Sequence, residues 1–332
     1  MCKPGRPKVI ALGDINLDMI AHIPCYPQPG GDGIARTLLT RSGGSATNTA
    51  RALAKCGIAT GLISRTGNGV FARECLAELC MAGVDVSLVQ RDPIVPSGMM
   101  FIVVTPDGQR TMFGYRGANA RTDPEALDPD AIRAARWLHI SGYALLESPQ
   151  AKAALRALSI AHDAGLAISL DLGLEIVLRK PDLVRTLFPY VDVLFPNEDE
   201  LGALVKADSL KKALLRLHQI GLSTIALKLG ARGCMLSEGG EVLHIPAFSI
   251  VAVDSTGAGD AFAAGFIAGR FCGLSLRACG LWANAMGALA ASVEGGESPG
   301  RSDILPFLRE RACCLQWRDW QSELDEILAT LE

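Results

Sequence analysis

The sequence predicts an α/β protein: a mostly parallel central sheet covered by helices, with a small second β sheet forming a lid. Two observations predict it. Short apolar runs near 9–12, 57–64, 137–140, 166–170 and 191–195 alternate with helical stretches such as 72–82 and 150–164. That alternation marks parallel strands joined by helical crossovers. Between 97 and 117 the rhythm breaks into two β-rich runs around Pro106-Asp107-Gly108-Gln109, the pattern of a hairpin outside the main sheet.

Composition sets the bounds. At 332 residues and 35.1 kDa, the chain can bury a sizeable core as one domain. Hydrophobic residues make up 49% and charged residues 20%, which argues against disorder. A net charge of -3 supports neither a nucleic-acid nor an anionic-membrane partner. The ten cysteines are scattered, and Met1 to Lys8 is basic without a long apolar run behind it. Reduced thiols and a cytoplasmic location are expected.

In chain order, the strand at 9–12 runs into Gly13-Asp14-Ile15-Asn16-Leu17-Asp18. Apolar and polar residues alternate there, so Asp14, Asn16 and Asp18 are expected to point together into a cleft. Such groups suit a polyhydroxylated ligand, although a solvent-facing strand with an Asx turn gives the same pattern. Residues 22–41 read as loop and short strands, and Gly43-Gly44 allows close backbone approach before a helix beginning near Thr47. The strand at 137–141 ends in Gly142 near the cleft, and its His139 reads as structural. Asn197 and Glu200 stand three apart at a helix start, where they organise Mg²⁺ and its waters or merely cap the helix.

The most informative stretch is Asp254-Ser255-Thr256-Gly257-Ala258-Gly259-Asp260, between a β-branched run and a helix of small apolar residues. A glycine turn opening a helix leaves N–H groups of Gly257, Ala258 and Gly259 aimed one way, a site for phosphoryl oxygens. Asp260 in that place suits a base that takes a proton from an attacking hydroxyl. Simple helix capping by Asp254 or Asp260 is the competing reading.

This stretch resembles the C-terminal signature of the ribokinase-like, or PfkB, family of carbohydrate and nucleoside kinases. Gly43-Gly44-Ser45-Ala46-Thr47-Asn48-Thr49-Ala50 resembles its N-terminal signature, and the likeness runs from about residue 9 to 306. The resemblance implies a three-layer α/β/α sandwich in a single domain, 1–332. It also implies a discontinuous lid from about 15–41 and 96–118, often used for homodimers. It implies ATP and Mg²⁺ and, in some relatives, a monovalent cation such as K⁺ between Asp254, Thr256 and the 295–298 loop. Asn16, Asp18 and Asn48 match sugar-binding positions, Asn197 and Glu200 an Asn-x-x-Glu metal motif, and Lys228, Gly230, Thr256 and Asn284 nucleotide contacts. Asp171-Leu172-Gly173 departs from the family's Asp-x-Asn, and Gly44-Ser45-Ala46-Thr47-Asn48-Thr49-Ala50 departs from the lysine-containing version typical of ribokinases. An amphipathic helix over 309–332, with Leu324, Ile327, Leu328 and Leu331 on one side, is expected to pack on the body.

The implied activity is ATP-dependent phosphorylation of a primary hydroxyl on a small sugar such as ribose or fructose. A nucleoside kinase using Phe101, Phe113 and Tyr115 as a base platform, or a non-catalytic sugar-binding relative, stands as the alternative. A Walker-type ATPase is disfavoured because no Gly-x-x-x-x-Gly-Lys-Ser/Thr run exists, and a Rossmann dehydrogenase because Gly13 lacks the fingerprint.

Overall fold

The computed structural model describes residues 8–107 and 109–332. The basic N-terminal stretch before Lys8, and Gly108 of the expected hairpin turn, lie outside the described residues. The strands are β1 (Val9–Leu12), β2 (Asn16–His22), β3 (Thr37–Gly43), β4 (Thr60–Thr66), β5 (Val89–Arg91), β6 (Gly98–Val104), β7 (Arg110–Tyr115), β8 (Trp137–Ser141), β9 (Ala167–Asp171), β10 (Val193–Phe195), β11 (Thr224–Lys228), β12 (Cys234–Glu238) and β13 (Glu241–Ile245). Between and after them run α1 (Ser45–Lys55), α2 (Val70–Met81), α3 (Pro129–Arg133), α4 (Gln150–Asp163), α5 (Leu174–Arg179), α6 (Pro181–Leu187), α7 (Glu198–Leu204), α8 (Leu210–Gln219), α9 (Ala258–Phe271), α10 (Leu276–Ala291), α11 (Arg301–Ala312) and α12 (Gln321–Leu331).

Nine strands make one sheet in the order β13-β12-β11-β10-β9-β8-β1-β4-β5, parallel except for the antiparallel edge of β12 and β13. β1 sits between β8 and β4, and all four of its residues are fully buried, as a parallel strand covered on both faces must be. Ile10 and Leu12 face one core with α3 to α8, while Val9 faces another with α1, α9, α10, α11 and α12. The result is the three-layer sandwich expected. α9 and α10 approach closely because Gly265 faces Ala283, whose Cα a Cβ there would meet at 2.9 Å.

A second sheet, β3-β2-β6-β7, stands apart, with β2 parallel to β6 and the expected hairpin formed by β6 and β7. α1 begins at Ser45, two residues earlier than the sequence suggested. Gly44, at φ 103, takes the turn that frees the helix to start there. The C-terminal expectation also changes in detail: residues 309–312 belong to α11, and a 3₁₀ turn over Leu315–Trp320 precedes α12. Leu324, Ile327 and Leu331 are buried, and Trp317 stacks on Phe248 at 4.2 Å. Among the described residues no helix is long and apolar enough to cross a membrane. Cys75, Cys234 and Cys279 are buried free thiols.

Candidate active site

β-branched residues carry the chain to the start of α9, where Gly257 adopts φ 72 and no side chain caps the helix. A Cβ on Gly257 would be strained at that φ and would sit 3.3 Å from the Gly296 carbonyl oxygen. The uncapped end and its helix dipole favour negative charge. One of the three expected donors is otherwise engaged, since Ala258 N–H donates to the Ser255 carbonyl at 3.2 Å in the tight turn.

Asp260, in the first turn of α9, accepts a hydrogen bond from Asn48 Nδ2 at 2.8 Å. The two signature motifs, far apart in sequence, therefore meet. Burial and then Asp171 push the Asp260 carboxyl up to about 6, against the opposing pull of Asn48, Ser45 and Lys228. It thus stays mostly ionised at neutral pH while holding protons far better than a free carboxylate, a useful setting for a base.

Beneath it lies a group of acids sharing one ammonium. Lys228 Nζ bonds Asp171 Oδ1 at 2.6 Å. Burial would strip the lysine proton, but Asp171, Glu200 and Asp260 outweigh it and the pKa rises. Burial likewise raises Asp171 and Glu200, with Lys228 opposing in each case. Backbone bridging between Asn197 and Lys228 at the ends of β10 and β11 brings these residues together. Asn197 and Glu200 form a complete capping box: Asn197 Oδ1 accepts from Glu200 N–H, and Glu200 Oε2 from Asn197 N–H. The capping reading is therefore realised, and only one Glu200 oxygen is spent on it. Among the described residues no three His, Cys, Asp or Glu side chains are grouped to hold a metal.

Asp14, Asn16 and Asp18, expected to point together into a cleft, have different surroundings, and Asp18 lies within electrostatic reach of Asp260. Asp14 and Asn16 are turned to different partners. Asp14 accepts from Arg116 Nη2 at 3.0 Å and Gln150 Nε2 at 2.7 Å. Asn16 Oδ1 accepts from Asn119 Nδ2 at 2.8 Å. Asp18 is buried, and burial lifts its carboxyl to about 7 despite Arg51 and Arg41, with Asp260 adding to the rise. Gly43 is required by this packing, because a Cβ there would fall 2.0 Å from Asp18 Oδ2. Gly44 lies against the Asp14 carbonyl in the same way. At Gly142 a Cβ would meet Ile176 at 3.0 Å and the Asp171 carbonyl at 3.1 Å, so its smallness serves packing against α5. The neighbouring Tyr143 lies within electrostatic reach of these acids. Its phenol is pushed up by burial and then by Asp260, Glu200 and Asp171.

A cleft of about 470 Å³ opens from Lys228, Ser255, Ala258 and Gly259 toward Phe248, Ile250 and Ala291. One end is polar and set at a helix N-terminus, and the other is apolar, a division suited to a nucleotide. Gly230, at φ 58, and Asn284 line it. Asn284 Nδ2 is spent on the Ile245 and Pro246 carbonyls at 3.2 and 2.9 Å, so it shapes the wall by holding that loop. Thr256 donates its N–H and hydroxyl to Asp254. His139 is fully buried, bonded to Ser169 and pushed down to about 3 by burial, so it is neutral and structural.

A buried carboxylate beside an uncapped helix end, a lysine among carboxylates and a two-ended cleft together have the makings of a phosphotransferase site. A family model described as pfkB family carbohydrate kinase matches residues 6–302, and the chain belongs to that family. It is 33% identical to an ATP-dependent ribose-1-phosphate kinase of Halopiger xanaduensis, over 92% of this chain and 99% of that one. A fructokinase of Klebsiella pneumoniae is 31% identical over 79% of this chain and 84% of its own. The Arabidopsis thaliana ribokinase structure complexed with ribose and ATP superposes with a TM-score of 0.81 at 25% identity, covering 91% of this chain and 98% of that one.

Proposed function

We propose that this kinase transfers the γ-phosphoryl group of ATP to a primary hydroxyl of a small sugar, with Asp260 as the base. The observation that carries the reading is the Asn48–Asp260 hydrogen bond at the uncapped start of α9. The hydroxyl proton passes to the Asp260 carboxylate as the new O–P bond forms. The bond from the γ-phosphorus to its bridging oxygen breaks, and ADP leaves. N–H groups of Gly257 and Gly259 hold the transferring oxygens, and Lys228 offsets their charge. The single free Glu200 oxygen, with Asn197 beside it, fits a Mg²⁺ held mainly by phosphate oxygens and water. When bound, that ion supplies charge neutralisation at the phosphates. The second sheet acts as a lid that excludes water. Its exposed Leu38, Phe101, Met112, Phe113 and Tyr115 support pairing of two lids in a homodimer, and ATP use with reduced thiols fits a cytoplasmic setting.

A second reading, an acceptor that already bears a phosphate, is favoured by Arg116. Its Nε and Nη1 are buried without a partner beside Asp14, a place where a neutral sugar needs no guanidinium. The ribose-1-phosphate kinase among the relatives agrees with it. The test is direct detection of phosphorylated product from Mg·ATP with ribose, fructose, ribose 1-phosphate and adenosine. Product from a free sugar supports the first reading, and product from ribose 1-phosphate alone selects the second. Product from adenosine alone overturns both in favour of a nucleoside kinase, and silence throughout removes the catalytic claim.

Activity is expected to fall on the acid side. The base works only when ionised, so kcat/KM declines as pH drops through the Asp18 and Asp260 titrations, about 7 and about 6. Asn48→Ala removes a donor that holds Asp260 down, and the lower limb should move to higher pH. A profile that stays level from neutral pH to well below 6 would sink the assignment of the base.

A further inference from the structure

Two loops meet beside the start of α9: residues 254–257 and the segment after α10. Asp254 Oδ1 accepts from Arg110 Nη1 at 2.5 Å, from Thr256 N–H at 2.9 Å and from the Thr256 hydroxyl at 2.7 Å. Asp254 Oδ2 accepts from Gly295 N–H at 2.8 Å, and Arg110 Nη2 donates to Ser255 Oγ at 3.0 Å. Across the gap, Arg41 Nη1 donates to the Gly295 carbonyl at 2.5 Å.

The sequence led to the expectation of a monovalent cation between Asp254, Thr256 and the 295–298 loop. These residues do not fit one. Such an ion needs carboxylate and carbonyl oxygens turned inward with no positive charge competing for them. Here one guanidinium holds the carboxylate and a second caps the Gly295 carbonyl, so an ion would meet two like charges. Gly296 closes the space further, since a Cβ there would lie 2.7 Å from the Thr256 carbonyl oxygen.

We propose that Arg110 stands in for the monovalent cation: it neutralises Asp254 and holds the 254–257 turn, so the enzyme works without K⁺. Arg110 is a positioning residue, acting on the reaction through the turn that carries Gly257. Both arginines come from the second sheet, Arg110 from β7 and Arg41 from β3. The charge that orders the turn therefore arrives only when that sheet sits over the cleft, which ties its closure to assembly of the phosphate site.

The test compares wild type, Arg110→Ala and Arg110→Lys in K⁺ and in tetramethylammonium at equal ionic strength, reading turnover and melting temperature. Wild type is expected to be indifferent to the ion in both readouts. Arg110→Ala frees the Asp254 carboxylate and leaves a single guanidinium on the Gly295 carbonyl, so it should lose about tenfold to a hundredfold in kcat without K⁺, regain part of it with K⁺, and melt higher in K⁺. Arg110→Lys keeps a charge and should stay indifferent to the ion. Activation of wild type by K⁺ overturns the proposal, as does an alanine variant equal to wild type or one whose loss no monovalent ion restores. Turnover in this test rests on the kinase reading, whereas the melting comparison does not. An enzyme silent toward every acceptor would thus fail the kinase reading while the melts still decide this one.

Discussion

Asp260→Asn is expected to lower kcat by a factor on the order of 10²–10⁴, the usual worth of a positioned base, while nucleotide affinity stays near wild type. The cleft that fits the nucleotide is lined by Lys228, Gly259 and the residues beyond, and the Asp260 side chain is not part of its wall. Asparagine keeps the shape and can still accept from Asn48, so the loss isolates proton removal from positioning. Stability should move the other way. Asp260 has a folded pKa of about 6 against an ordinary 3.8, so folding holds its proton more tightly than the unfolded chain does. Its contribution is full at low pH and is lost as pH rises from about 3.8 through 6. A neutral asparagine escapes that loss, and the variant should melt no lower than wild type at neutral pH. Steady-state turnover, equilibrium binding of a fluorescent ATP analogue and a melting curve check all three. Normal turnover would remove Asp260 from the mechanism.

Lys228→Met is expected to be damaging twice over. Its ammonium is the shared partner of Asp171, Glu200 and Asp260, and the Asp171 side chain is only 4% exposed. Taking one partner from a buried pair costs about 3–5 kcal/mol, because the remaining charge must be protonated or left bare. Turnover should also fall, by about a hundredfold, because uncompensated carboxylates then face the incoming triphosphate. Asp171→Asn in the same chain separates the two effects. The double variant should recover most of the melting temperature and little of the activity. If the double variant recovers both, Lys228 serves the fold alone.

What the sequence makes legible is what local chemistry encodes. The β/α rhythm, the hairpin over 98–115 and the glycine turn that opens a helix near 257 each follow from periodicity or turn preference within a few residues. The roles of the two signature motifs were legible only through family resemblance, and their meeting at Asn48 and Asp260 was not legible at all. The partners of the site residues were not legible, because contacts between segments far apart along the chain decide them. Lys228 and Asp171 are 57 residues apart, Arg110 and Asp254 are 144 apart, and Arg41 and Gly295 are 254 apart. No pattern in any one segment announces such pairs. The same gap hides the packing partners of Asp14 and Gly142. A carboxylate at a strand end looks available until Arg116 and Gln150 are placed beside it, and a glycine near a cleft looks ligand-facing until Ile176 fills its space.

The Asn48–Asp260 hydrogen bond also has a bearing on biosynthesis. A ribosome releases the N-terminal half of the site, with α1 and its buried Ala52 and Leu53, long before α9 exists to cover it. Until residues near 260 emerge, that apolar helix face has no native neighbour on one side, and the proposed base has not yet been made. The nascent chain is therefore catalytically mute, and through most of its synthesis it offers a sticky surface of the kind that holdase chaperones cover.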